Sequence, residues 1–256
     1  HAVLQAALKQ AVKERLIPYN PCENCRIPPK DKKEMTILPP EKIGRYLQEA
    51  EKYGVLPMFY LELSSGLRRG ELLALQWEDL NVKERILTVN KQVTRMEGEL
   101  DVTEPKTKNS VRKVALSQQA VDLLVQEHEQ HPDNPILFPS PRTGGYWSPD
   151  AVSRINRKLL KNAGIEKHVR FHDLRHTFAT MAISSGVDVK TLSSMLGHYS
   201  AGFTLDTYTH ITNDMQRGAA EKIGGFMESV TATTSPEPPD PPEESRCKVI
   251  PFEKVG

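Results

Sequence analysis

Between Arg85 and Val114 the chain changes its hydrophobic period, and that change limits the folds open to it. Ile86-Leu87-Thr88-Val89, Gln92-Val93-Thr94 and Val111 to Leu116 are short runs rich in β-branched residues. Turn signals separate them at Glu97-Gly98 and Lys108-Asn109-Ser110. On either side the period is helical. Ile43, Tyr46, Leu47 and Ala50 mark one helix face, and Val55 to Leu63 and Arg69 to Leu75 predict two further helices with Gly66 as the break. The pattern predicts a mixed α+β fold, mainly α-helical, with a small antiparallel three-stranded sheet in the middle.

Helical signals resume after the sheet. Ser117 caps a helix carrying Val121, Leu124 and Val125. Ser148-Pro149 opens another, which carries Val152, Ile155 and Leu159 and ends at Gly164. Phe171 to Ser184 and Asp188 to Leu196 follow, and Leu205 to Ile211 is helical or irregular. Met215, Ala219, Ile223 and Phe226 line one face of a last helix, though Gly224-Gly225 weakens it. The chain starts at His1 with an amphipathic helix over residues 2–17, stopped by Pro18-Tyr19-Asn20-Pro21. These signals divide the chain into the end of a truncated domain (1–17), an extended linker (18–34), a main domain (35–212), a C-terminal helix (213–230) and a Pro-rich disordered tail (231–256).

At 38% hydrophobic and 26% charged residues, no apolar run reaches the length of a membrane span, and no signal peptide is expected. Cys22, Cys25 and Cys247 are an odd, scattered set, which points to a reducing, intracellular compartment. The pair Cys22–Cys25 cannot complete a tetrahedral zinc site without further ligands and reads as two unpaired thiols in a linker. The net charge of +1 hides an uneven distribution. From Ala151 to Thr180 stand seven basic residues, Arg154, Arg157, Lys158, Lys161, Lys167, Arg170 and Arg175, against only Glu166 and Asp173. Such a stretch fits one polyanion-binding face, or equally a solvated helix face.

Five places carry residue types suited to phosphate chemistry. Each is ambiguous alone. Arg68 follows the Gly66 break at a helix start, where backbone N–H groups favour an anion; Glu71, three residues on, shares its face and can orient it. Lys108 sits at a polar hairpin tip, otherwise a plain solvated turn. His172 and Arg175 lie three apart on one helix face, an imidazole to move protons and a guanidinium to offset charge. His172 and His176 also have the spacing of helical zinc ligands, but Asp173 replaces the expected glutamate base and no third ligand stands out. His198 follows a helix-ending glycine, and Tyr208 lies among small polar residues, where a buried hydrogen-bonded phenol is the ordinary alternative.

Taken in order, the stretches SSGLRRGELLALQWEDL, EPKTKNSVRKVAL, HDLRHTFAT, LGH and TLDTYTH resemble the tyrosine recombinases, or lambda-type integrases, nearest in look to those of phages and conjugative transposons. The resemblance runs from about Met35 to Met227 and departs at none of the six positions. It implies the catalytic fold of that family and makes the opening helix the end of a core-binding domain. It also implies a site-specific recombinase cutting double-stranded DNA through a 3′-phosphotyrosine at Tyr208. His172 would accept the tyrosine proton, Arg68 and Arg175 grip the phosphate, Lys108 protonate the leaving oxygen and His198 bond the phosphate, with Glu71 supporting Arg68. Lys106, Arg154, Arg157, Lys158 and Arg170 are candidate contacts to the DNA backbone. The resemblance further implies a homotetramer on two duplexes, joined through the segment after Tyr208, acting in the cytoplasm at the bacterial nucleoid. No metal, cofactor, ATP or membrane is called for. The rival readings are a type IB topoisomerase-like nicking-closing enzyme, a DNA-binding accessory protein and a helical zinc hydrolase.

Overall fold

The computed structural model describes residues 1–28, 36–96, 98–104, 111–197, 202, 204–205 and 220–229. Its helices are α1 (Ala2–Lys13), α2 (Pro40–Lys52), α3 (Leu56–Ser65), α4 (Arg69–Ala74), α5 (Gln118–Glu129), α6 (Pro149–Asn162), α7 (Phe171–Ser184) and α8 (Val189–Leu196). Its strands are β1 (Leu80–Asn81), β2 (Ile86–Val89), β3 (Gln92–Met96), β4 (Glu99–Thr103) and β5 (Arg112–Ala115). Residues 220–229 form one further helix. No helix among the described residues is long and apolar enough to cross a membrane.

The helices pack round α3, whose residues Met58, Phe59, Leu61 and Leu63 are all buried. The Phe59 ring meets Tyr46 of α2 edge-on at 5.8 Å and Phe171 of α7 at 5.7 Å. Burying side chains of this size contributes roughly 1.5–3 kcal/mol each, so this apolar cluster dominates the stability of the assembly. Tyr46 and Asn156 pair across elements inside it. The Tyr46 hydroxyl donates to Asn156 Oδ1 of α6 at 2.6 Å, and Asn156 Nδ2 donates to the Val169 carbonyl at 3.0 Å.

The sheet is antiparallel in the order β1–β2–β5, with Leu87 opposite Val114 and Val89 opposite Arg112. Leu87, Val89 and Val114 face the core. The run at Gln92 does not join this sheet, contrary to the expectation from its spacing. It pairs instead with β4, Gln92 opposite Thr103 and Met96 opposite Glu99, as a separate two-stranded hairpin. Two local turns explain the change. Gly98, at φ 95°, folds β3 back onto the strand that follows it. Asn81 Oδ1 accepts the Glu84 amide at 3.0 Å and Arg85 takes φ 56°, which folds β1 onto the edge of β2 where β3 was expected. Single-residue signals proved more durable. Ser117 Oγ accepts the Ala120 amide at the start of α5, and Pro149 stands in the first turn of α6.

Candidate active site

The first wall of the site comes from the break between α3 and α4. Gly66 adopts φ 60°, and a Cβ there would run into the Phe178 ring and Leu196, so backbone conformation and space both call for glycine. The turn leaves Arg68 at the N-cap of α4. Glu71 reaches back: its Oε2 accepts the Arg68 amide at 2.9 Å and its Oε1 accepts Arg68 Nη1 at 2.7 Å. Arg112 of β5 grips the same carboxylate from the other side, Nη2 to Oε2 at 2.7 Å and Nη1 to Oε1 at 3.1 Å. Burial alone would raise the Glu71 pKa, but the bonds and charge of Arg112, with those of Arg68, more than offset it and hold the carboxyl below its ordinary range.

The second wall is α7. Arg175 is buried, donating from Nη1 to the Gly66 carbonyl and from Nη2 to the Leu196 carbonyl, both at 2.7 Å. Burial and the neighbouring Arg68 charge lower its pKa to about 10, which still leaves it cationic at neutral pH. His172 lies one turn earlier on α7 with its side chain at the surface. Its pKa is lowered, first by the packed surroundings and then by Arg175, so at neutral pH it is an unprotonated imidazole able to accept a proton. The His172 and His176 rings meet edge to face at 5.1 Å. Among the described residues no three His, Cys, Asp or Glu side chains come together as a metal-ligand group.

The third wall is the end of α8, where three arginines each take one of three successive carbonyls. Arg112 Nε donates to Met195 O at 2.7 Å, Arg175 Nη2 to Leu196 O at 2.7 Å, and Arg68 Nη2 to Gly197 O at 2.9 Å. Free carbonyls at a helix C-terminus carry partial negative charge, so the cations both satisfy and stabilise that end. Gly197, at φ 63°, lets the Arg112 guanidinium lie close against the backbone.

The structure thus brings Arg68, Glu71, His172 and Arg175 together. Lys106, Lys108, His198 and Tyr208 lie outside the described residues; His198 is the residue that follows the gripped end of α8 in the chain. Of the candidate backbone contacts, Arg157 and Arg170 join His172, Arg69 and His168 round a cleft of about 550 Å³. Arg154 lines a different cleft of about 790 Å³, beside Arg95 and Trp147. Lys158 lies over the Tyr53 ring at 4.6 Å.

Arg112 was not among the expected site residues. Its signal was present: Arg112, Val114 and Leu116 share one strand phase, and all three are buried. A charged residue in phase with two core residues needs a buried partner. Arg69 was also missed. It lines the cleft with His172 while donating to Ser153 Oγ at 2.6 Å.

Guanidinium groups converging from two helices, with a neutral imidazole beside them, have the chemistry to hold a phosphate group and to accept a proton at it. The chain belongs to the phage integrase family, whose model matches residues 38–215. It is 31% identical over 230 residues to the ICEBs1 integrase of Bacillus subtilis strain 168, covering 85% of this chain and 62% of that protein. It is 29% identical to a XerC-like tyrosine recombinase of Caldanaerobacter subterraneus, covering 88% of this chain and 64% of that one. The chain therefore spans under two thirds of the length of these relatives. The fold matches that of the Tn1549 transposon integrase in complex with a circular intermediate DNA, with a TM-score of 0.72 at 23% identity, covering 86% of this chain and 76% of that one. It also matches XerA recombinase, with a TM-score of 0.60 at 27% identity, covering 75% of this chain and 67% of that one.

Proposed function

We propose that the protein is a site-specific DNA recombinase that cleaves and rejoins double-stranded DNA, integrating or excising a mobile element. The observation that carries this reading is the meeting of Arg68, Arg175 and His172 beside the end of α8, one residue before His198. In this reading Tyr208 attacks the scissile phosphorus and displaces the 5′-oxygen, leaving a 3′-phosphotyrosine. A free phenol has a pKa near 10, so attack at neutral pH needs an acceptor, and the unprotonated imidazole of His172 fits that role. Arg68 and Arg175 offset the charge that builds on the non-bridging oxygens. Lys108 donates a proton to the leaving oxygen, and His198 bonds the phosphate. The phosphotyrosine keeps the energy of the broken diester, so rejoining to another strand needs no ATP.

Arg157 and Arg170, which line the cleft beside His172, contact the DNA backbone in this reading, as do Lys106, Arg154 and Lys158. Exchange between two duplexes takes four protomers. The helix over 220–229 supports that assembly, because Ile223, Phe226 and Met227 are 63%, 65% and 54% exposed on a short helix. The protein acts in the cytoplasm on nucleoid DNA. A nicked suicide duplex carrying the crossover sequence tests the proposal. A covalent protein–DNA adduct should form and Tyr208→Phe should abolish it; an adduct that survives in that variant would remove Tyr208 as the nucleophile.

A further inference from the structure

Glu62 is a glutamate in an otherwise apolar stretch of α3, between Leu61 and Leu63. It is fully buried, and neither carboxyl oxygen has a hydrogen-bond partner. An ionised carboxylate in that setting is strongly disfavoured, so the group keeps its proton. Even as the neutral acid, orphaned oxygens carry a desolvation penalty that a leucine would avoid. Packing therefore gives no reason for a carboxyl here. Its surroundings do. Its charged neighbours are Arg175 of α7, Glu71 of α4 and Arg112 of β5, and the Tyr46 phenol of α2 lies near enough to feel its charge. From α5, Ala120, Val121 and Leu124 turn into the core and bring no charge. His172 and His176 of α7 both have lowered pKa values and are neutral at neutral pH. Burial first, and Glu71 after it, raise the Glu62 pKa, while Arg175 and Arg112 oppose them without prevailing.

With Glu62 neutral, the three guanidiniums of Arg68, Arg112 and Arg175 face the single carboxylate of Glu71. The site then keeps two net positive charges, matching a phosphodiester whose negative charge grows in the transition state. With Glu62 ionised, half of that surplus is gone. We propose that Glu62 sets the charge of the site from behind it, without itself holding the phosphate: as the neutral acid it leaves the charge of Arg68 and Arg175 to a bound phosphate, and as the anion it withdraws part of that charge. This rests on the recombinase reading above and adds a pH dependence to that of the expected site residues.

Glu62→Gln keeps the shape without the proton, and Glu62→Leu keeps the bulk without either oxygen. Wild type and both variants are compared for adduct formation on the suicide duplex, and for affinity toward inorganic sulfate, from about pH 6 to about pH 9, a range in which sulfate itself does not titrate and Arg175 stays cationic. Near neutral pH the three proteins should cleave within about threefold of one another. As pH rises, wild type alone should lose about tenfold or more in cleavage and in sulfate affinity. The infrared band of a protonated carboxyl should be present in wild type at neutral pH, absent from both variants, and should fade together with that loss. Superimposable pH profiles for the three proteins, or no such band, would overturn the proposal. If wild type forms no adduct at all, the recombinase reading fails, and the sulfate titration and the band still decide the role of Glu62.

Discussion

Two helices of this fold begin in the same way. α4 starts with Arg68 at its N-cap and Glu71 at the third position; α7 starts with Arg170 and Asp173. In each, the acid accepts the backbone amide of the arginine, at 2.9 Å and 2.7 Å, and also pairs with its guanidinium. The difference lies in what else the acid holds. Glu71 has a second, buried arginine on it, Arg112, which ties it to β5 and to α8. Among the described residues, the ion pair of Asp173 is with Arg170, whose side chain is 67% exposed. The same local motif is thus a cap in one place and the hub of a site in the other. Its chemistry is decided by the partners that tertiary packing supplies, not by the Arg-x-x-acid spacing.

The largest test of that distinction is in stability. Glu71→Ala removes the buried carboxylate that Arg68 and Arg112 both hold and should cost about 3–5 kcal/mol in denaturant unfolding. Asp173→Ala removes a cap and a solvent-screened ion pair and should cost about 1–2 kcal/mol. Equal losses would mean that Arg112 finds another partner and that the two pairs are equivalent. Next in size is catalysis. Arg68→Ala should slow adduct formation by about 100-fold or more while leaving much of the DNA affinity, because the guanidinium acts on charge that develops during the reaction. A variant that instead loses DNA binding and keeps its cleavage rate would place Arg68 among the backbone contacts.

This contrast also marks how far the sequence could be read. Arg68, His172 and Arg175 were legible because each stands beside a local signal: a glycine break, or i,i+3 spacing on one helix face. The helices were legible for the same reason, α7 to its end residues. What escaped depends on distant partners. Arg112 belongs to the site only because Glu71 and Met195 arrive from elsewhere in the chain, and Glu62 is hidden in an apolar run whose period gives no hint of it. The membership of β3 escaped likewise, since strand pairing is settled by the turns on either side and by the competition of β1 for the edge of β2.

A smaller effect is expected on the α7 side as pH falls. His176 is partly buried, and its packed surroundings, then His172, lower its pKa to about 4. The unfolded chain binds that proton near pH 6.5, so the neutral form stabilises the fold above that pH. That contribution, about 1–2 kcal/mol once solvent screening of the partly exposed ring is allowed for, should disappear as pH falls from about 6.5 to about 4. His176→Gln should flatten the dependence in thermal unfolding measured across that window. The Glu71 side should behave differently: its folded pKa lies below the ordinary carboxylate value, so its loss begins only in more acid solution.

The smallest effect separates the two arginines directly. Arg170 is exposed and its bonds run to Asp173, yet it lines the cleft beside His172. If it meets DNA there, it does so as one phosphate contact among several. Arg170→Ala should then weaken DNA binding by less than about tenfold and reduce the steepness of the salt dependence by about one ion. The rate of cleavage from the bound state should stay close to wild type. Arg68→Ala should show the opposite pattern, an unchanged salt slope and a slow chemical step. If Arg170→Ala slows the chemical step as well, the α7 pair orients His172 rather than merely capping its helix, and the line drawn between hub and cap would have to move to include it.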